Sequence, residues 1–263
     1  MPLRNRVILV LHPEPGVHAA IAGAAGKGSL VTAVEDWLSV EDALLASPPS
    51  TVAVVDPYLG GAGPGPASEL HALLQRLPSS SIVPALEVTP ERASDVALLD
   101  EWGVAAIISS GHDDTPAAIS RRIGDARVRP LKRRLASMLP PETSPHAYTL
   151  LFAAADTMCD DGNAADLATA LEASPSTLLR WCEAAGLPSP RTLLQWVRVL
   201  HAANLLEEPV RTPEAVARTC GYASAAELRT VTQRLLGSTP AQLRTAGFQH
   251  TAARFLAALT TLP

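Results

Sequence analysis

The first 128 residues alternate between short apolar runs and amphipathic stretches. Apolar runs occupy 7–11, 30–34, 52–55, 82–88 and 104–108. Each is bounded by turn signals and is shorter than an ordinary helix, so each reads as a buried strand. Helices are predicted between them over about 16–25, 41–46, 68–77 and 115–126. In 68–77, Leu70, Leu73, Leu74 and Leu77 fall on one helical face. A further helix starts at Thr89-Pro90-Glu91, a polar cap followed by proline. Residues 60–66, GGAGPGP, read only as loop. Five strands separated by helices predict an α/β domain with a five-stranded parallel sheet covered on both faces.

Beyond residue 144 the strand signals vanish. A hydroxyl-plus-proline pair recurs instead: Ser144-Pro145, Ser174-Pro175, Ser189-Pro190, Thr212-Pro213 and Thr239-Pro240. Each hydroxyl can accept from a free N–H of the next turn, and the proline has no N–H to leave unpaired. Asn163 with Asp166 adds a start of capping-box type. The pattern predicts about seven helices and no strand. The expected organisation is an α/β domain over 1–128, a linker over 129–144 and an all-α domain over 145–263. Pro130, Pro140 and Pro141 are expected breakpoints. Between them 129–139 forms one helix with Lys132, Arg133 and Arg134 on its surface, as a solvated linker or a DNA contact.

Two segments of the all-α part share one plan. In 163–186 a short helix presents Leu167, Ala168 and Leu171, and Glu172-Ala173-Ser174 makes a turn. A second helix from Pro175 buries Leu178, Cys182 and Ala185, shows Ser176, Thr177, Arg180 and Glu183, and stops at Gly186. In 212–237 a helix carries Val216 and Ala217, and Cys220-Gly221-Tyr222-Ala223 is the turn. The following helix is expected to bury Leu228, Val231 and Leu235 and to show Ala225, Ala226, Arg229, Thr230 and Gln233. Two short helices joined by a tight turn form a helix-turn-helix, whose second helix enters the major groove. The helix predicted over 190–206 lies between the two units. Its seventeen residues span roughly 25 Å, not far from the ~34 Å between successive major-groove faces.

Residues 163–244 resemble the DNA-binding domain of AraC/XylS-type transcription regulators. The resemblance rests on S-P-S-T-L-L-R from Ser174, G-L-P-S-P from Gly186, and Leu194, Arg198, Ala202, Leu205 and Leu206 in the linking helix. It also rests on G-Y-A-S-A-A-E-L from Gly221 and G-S-T-P-A-Q-L-R from Gly237. The chain departs from the family pattern at Leu228 and Val231, where an aromatic is usual, and by the extra residue Pro188. The resemblance implies double-stranded DNA as partner, with Ser176, Thr177, Arg180, Ala225, Ala226, Arg229, Thr230 and Gln233 at the interface. Arg180 fits a position that reads bases or phosphates. Ala225 and Ala226 offer no polar base reader, so the second unit is expected to add mainly phosphate contacts.

The α/β part resembles a flavodoxin-like, response-regulator receiver domain, with Asp56 at the end of the third strand. Receivers carry an acidic pair after the first strand; this chain has Leu11-His12, with Glu14 beyond. They carry a lysine after the fifth strand; Ser109 and Ser110 stand there, and Thr89 remains after the fourth. Phosphoryl transfer to a carboxylate needs a divalent ion, and that ion has few ligands here. The expectation is a pseudo-receiver that is not phosphorylated, acting as a sensor or dimerisation module. The surface near Trp102 is its candidate dimer contact.

Composition narrows the alternatives. Of 263 residues, 47% are hydrophobic and 18% charged, which argues against long disorder. No apolar run reaches the ~18–20 residues of a membrane span. The N-terminal segment has two arginines and an apolar run too short for a signal peptide, so a cytoplasmic location is expected. Three scattered cysteines give neither a disulfide framework nor a metal site. The seven histidines have no metal-ligand spacing. The segment from Gly23 to Ser29, with Lys27, is a poor phosphate loop because it follows a helix and lacks the first glycine. No cofactor, metal or catalytic constellation is expected, and the chain does not read as an enzyme.

The net charge of −5 conceals an asymmetry. Residues 1–128 hold 8 Lys and Arg against 15 Asp and Glu, whereas 174–263 hold 9 against 5. A basic C-terminal face suits DNA. The leading expectation is a sequence-specific DNA-binding transcription regulator working as a homodimer, with an effector or protein partner of unspecified kind. The alternative is a protein–protein interaction module on a regulator fold that has lost tight DNA recognition.

Overall fold

The computed structural model of the chain describes residues 6–26, 28–61, 63–113 and 115–260. Lys27 of the phosphate-loop reading and the first residues of the signal-peptide reading lie outside them. The chain divides into two compact units, Met1–Pro130 and Leu131–Pro263.

The first unit contains β1 (Arg6–Leu11), α1 (Pro15–Ala24), β2 (Ser29–Ala33), α2 (Trp37–Ala46), β3 (Val52–Val55), α3 (Ser68–Arg76), β4 (Ser81–Glu87), a 3-10 turn (Pro90–Arg92), α4 (Ala93–Trp102) and β5 (Ile108–Ser110). The helix α5 (Pro116–Met138) follows. The strands pair in parallel in the order β2-β1-β3-β4-β5. This is the doubly wound order of flavodoxin-like sheets. Side chains alternate between the two faces. Val7, Leu9, Leu11, Ala53, Val55, Ile82 and Leu86 pack with Val40, Leu44, Leu70, Leu73 and Leu99 of α2, α3 and α4. Ile8, Val10, Val52, Val54, Val83 and Ala85 pack with Ile21 of α1 and with Ile119, Ile123 and Ala126 of α5.

Three boundaries differ from the sequence expectation. The fifth strand begins at Ile108 rather than Val104. Ala105 N–H reaches across the gap, donating to Ile82 O at 2.8 Å. Pro84, two residues on and facing the same neighbour, has no N–H to give. The ladder therefore starts beyond it, at Ala85 opposite Ile108. The second helix starts four residues earlier than expected, because Asp36 caps it by accepting from Ser39 N–H at 2.7 Å. The expected break at Pro130 does not occur, and α5 runs through it. Buried positions repeat at helical spacing on both sides of the proline: Ile119, Ile123, Ala126, then Leu131, Leu135, Met138. Each fully buried aliphatic contributes ~1.5–3 kcal/mol, which together outweigh the ~3 kcal/mol cost of an internal proline.

The second unit is all helical after α5: α6 (Pro145–Cys159), α7 (Ala164–Ala170), α8 (Pro175–Ala184), α9 (Pro190–Leu206), α10 (Pro213–Thr219), α11 (Ala225–Leu236) and α12 (Pro240–Thr260). Six of the seven begin where the caps predicted, and α11 begins after Ser224. Ser144, Ser174, Thr212 and Ser224 each accept from a backbone N–H three residues on. Asn163 and Asp166 form the capping box. Thr239 and Gln242 form a second box, with Thr239 N–H donating to Gln242 Oε1 at 2.8 Å. The α12 helix bends at Gly247, where φ is 76°. The freed Phe248 N–H donates to Glu207 Oε1 at 2.6 Å.

The core of this unit is built on α9, of which only Arg191 is exposed. It packs against α6, α7, α8, α10, α11 and α12. Two of its polar side chains bond to neighbouring segments: Arg198 donates to Gly162 O at 2.9 Å, and Asn204 Oδ1 accepts from Arg134 at 2.9 Å. No helix among the described residues is long and apolar enough to cross a membrane.

The caps give a direct test. Asn163→Ala and Ser174→Ala are each expected to cost about 1 kcal/mol of stability in urea melts. Ser189→Ala should cost only a few tenths, because Ser189 caps α9 without a side-chain bond to its backbone. Equal losses at all three sites would contradict the assigned cap bonds.

Candidate nucleic-acid interface

The two helix-turn-helix units share their principal turn and cap bonds. In the first, Glu172 adopts a left-handed φ of 52°, and Ala173 N–H donates to Ala168 O at 2.9 Å. In the second, Gly221 has φ 84°, and Tyr222 N–H donates to Ala217 O at 2.9 Å. The second turn holds one extra residue before its cap. Each second helix then starts on a serine: Ser174 accepts from Thr177 N–H at 3.1 Å, and Ser224 from Glu227 N–H at 3.2 Å. Each is followed by a left-handed glycine, Gly186 at φ 68° and Gly237 at φ 67°. A residue with a Cβ is strained at such an angle.

With the cap serines fifty positions apart, every residue of α8 has a counterpart in α11. Leu178 matches Leu228 and Cys182 matches Thr232, and all four are buried. Facing outward on α8 are Ser176, Leu179, Arg180 and Glu183, spaced i, i+3, i+4, i+7 on one arc. The same arc of α11 holds Ala226, Arg229, Thr230 and Gln233, all exposed. Arg180 is thus equivalent to Thr230, and Arg229 to Leu179.

This register corrects the sequence reading of the second helix. Its buried stripe is Leu228, Thr232 and Leu236, while Val231 and Leu235 are only half-buried. Counting the apolar residues alone rotated the helix. The signal that fixes it, Ser174 against Ser224, was present in the sequence.

The remaining candidate residues differ in availability. Thr177 is half-buried, and its hydroxyl shares a 2.8 Å hydrogen bond with Ser174 Oγ. Ser176 Oγ lies 3.0 Å from the same atom. Ala225 is half-buried, and its N–H donates to Glu214 Oε2 at 2.9 Å. Thr230 donates its hydroxyl to Ala226 O at 3.0 Å. Among the described residues, neither Arg180 nor Arg229 forms an ion pair, so both guanidinium groups are available. Sequence reasoning missed Arg234, which joins Arg229, Thr230 and Gln233 around a shallow groove. It also missed Leu179, 40% exposed on the arc of α8.

In the α/β unit, a crevice of about 440 Å³ lies beyond the strand ends, lined by His12, Glu14, Asp56, Tyr58, Glu87, Arg92 and Ser110. Asp56 makes the turn after β3: its N–H donates to Leu11 O at 2.7 Å, and its Oδ1 accepts from Tyr58 N–H at 2.9 Å. Tyr58 donates to Asp95 at 3.0 Å and packs its ring 4.7 Å from the Arg92 guanidinium. Burial, aided by the Asp95 hydrogen bond, pushes the Tyr58 phenol up to about 12. Leu11 is buried in the core, away from the crevice. Among the described residues no group of three His, Cys, Asp or Glu is arranged to hold a metal ion. Trp102 is half-buried and stacks on His71 with ring centroids 4.6 Å apart.

Residues 167–246 match the family model of a helix-turn-helix domain. That span runs from within α7 into α12. No curated protein matches the chain. Among solved structures, the chain is similar to the RcsB response regulator of Salmonella typhimurium, in a structure describing its conformational dynamism for DNA interaction. The two are 15% identical, the match covers 73% of this chain and 99% of that one, and the TM-score is 0.35. It is also similar to XylR, a xylose-binding transcription activator, at 12% identity, with 92% and 70% of the chains covered and a TM-score of 0.38.

The core beneath α8 has a chemical signature. Burial pushes the Cys182 thiol up to about 11, and the Glu183 carboxylate adds to the shift. At pH 8 the thiol is neutral and therefore unreactive. Cys220 is also buried, whereas Cys159 is only partly so. A disulfide reagent at pH 8 is expected to label Cys159 in the native protein, and all three cysteines only in denaturant. Rapid native labelling of Cys182 would contradict the packing of α8.

Proposed function

We propose that the chain is a sequence-specific transcription regulator that binds double-stranded DNA through the outward arcs of α8 and α11. The observation that carries this reading is the repetition of one helix-turn-helix plan on a shared central helix, with unpaired arginines on both outward arcs. In such motifs the second helix reads the major groove. The family match over 167–246 and the resemblance to AraC/XylS-type regulators support it. So does the excess of basic residues over 174–263. Such a protein works beside the chromosome, in the cytoplasm.

The two arcs differ in chemistry, and the roles divide accordingly. Arg180, flanked by polar Ser176 and Glu183, is suited to fork onto guanine O6 and N7. The α11 arc offers Arg229 beside the methyl groups of Ala226 and Thr230, and suits phosphate contacts. The α/β unit serves as a receiver-like sensor or dimerisation module that is not phosphorylated. A homodimer would present up to four reading helices, and linked weak sites gain affinity through avidity. The half-buried Trp102 leaves its exposed edge as the candidate dimer contact.

Binding measured at fixed salt tests the division of roles. Arg180→Ala is expected to lose specific binding about ten- to a hundredfold, the range of one bidentate base contact. Arg229→Ala should weaken specific and random DNA alike and reduce the salt slope by about one unit. Both variants should melt like the parent, since neither side chain is buried. Undiminished binding by folded Arg180→Ala would favour the protein-interaction reading.

Acetyl phosphate with Mg²⁺ is expected to leave the mass of the protein unchanged. The positions beside Asp56 that hold the ion in receivers are Leu11, turned into the core, and His12, whose Nδ1 accepts from Glu14 N–H at 3.2 Å. An adduct of one phosphoryl group at Asp56 would overturn the non-phosphorylated assignment.

A further inference from the structure

Leu179 lies on the outward arc of α8, between Ser176 and Glu183 and next to Arg180, with 40% of its surface exposed. The core side of this helix is made by Leu178 and Cys182, which are fully buried. The fold does not require an apolar residue at 179, because the equivalent position of α11 is Arg229. An isobutyl group at this point of the arc is therefore a surface feature with its own chemistry. It has no donor or acceptor. Base edges in the major groove offer donors, acceptors and one apolar group, the 5-methyl of thymine.

We propose that Leu179 reads a thymine methyl group, so that the half-site bound by α8 requires a thymine beside the base contacted by Arg180. This rests on α8 entering the major groove, as proposed above. Leu179 contributes by covering the methyl and excluding water from it. Cytosine, which lacks the methyl, leaves the leucine against a bare ring edge. Adenine and guanine place N7 against it, an acceptor it cannot satisfy. Arg180 fixes register through hydrogen bonds, and Leu179 adds discrimination by apolar contact alone.

The test separates the methyl from every other feature of the base. The full chain first selects duplexes from a randomised pool. Each thymine of the selected duplex is then replaced in turn by deoxyuridine, which differs only in lacking the methyl. At one thymine of the α8 half-site, replacement is expected to weaken binding about three- to fivefold, the effect of withdrawing one buried carbon. Leu179→Ala should bind the thymine duplex more weakly by a similar factor and be indifferent to deoxyuridine at that position. Leu179→Met should keep the sensitivity. A wild type that tolerates deoxyuridine everywhere, or a Leu179→Ala that stays sensitive, would overturn the methyl reading while leaving DNA recognition intact. If no sequence is enriched from the pool, the regulator reading fails and this proposal fails with it. Melting of both variants checks that they fold.

Discussion

Burial of α9 on nearly every side is the constraint from which the second unit is built. A helix with apolar residues on most of its surface is not a surface element; it must be enclosed by others. Six helices of the unit meet that demand, and their positions follow from it. The helices α7 and α8 close one part of its surface, and α10 and α11 close another. Each outward arc is the side of α8 or α11 left over once its inner side is committed to this core. The polar residues of α9 work in the same sense. Arg198 ties the start of α7 through the Gly162 carbonyl, and Asn204 accepts from Arg134.

The orientation of the second helix of each unit depends on two local devices. A cap serine starts the helix, and a left-handed glycine follows its last turn. Between them, the pair Leu178 and Cys182, or Leu228 and Thr232, sets the rotation. Thr232 is fully buried and donates its hydroxyl to Arg229 O at 3.1 Å. A polar residue thereby serves as a core position, its hydrogen bond satisfied within its own helix. The outward arc follows from that choice, and with it the pairing of Arg229 with Leu179 rather than with Arg180.

In the α/β unit β1, β3 and β4 are dictated by residues buried on both faces, the edge strand β2 is largely exposed, and the strand ends are set by chain chemistry. Pro84 withholds a donor and delays the last ladder. Asp56 is engaged in a turn at the mouth of the strand-end crevice, held by backbone bonds to Leu11 and Tyr58. Those bonds are the ordinary work of an aspartate at the start of a turn.

Much of the architecture was legible in the sequence because its signals are local. Apolar runs of four to seven residues located the strands, and hydroxyl-proline pairs located the helix starts, since a cap acts within one turn. The bounds of α9, Pro190–Leu206, follow from its cap and its length of apolar repeat. The candidate residues Ser176, Arg180, Arg229, Thr230 and Gln233 were also within reach of periodicity alone. What the sequence did not decide was set by neighbours distant along the chain. Whether Pro130 breaks a helix depended on burial of side chains on both sides of it. Whether 104–107 joins the sheet depended on a missing N–H in β4. Whether Val231 or Thr232 faces the core depended on the fit against α9, α10 and α12. Periodicity locates an apolar stripe only to within a residue, about 100° of helix rotation, and a buried threonine does not register as apolar. Packing resolves that ambiguity because the observed rotation fills the core position with Thr232, whose hydroxyl is satisfied within its own helix.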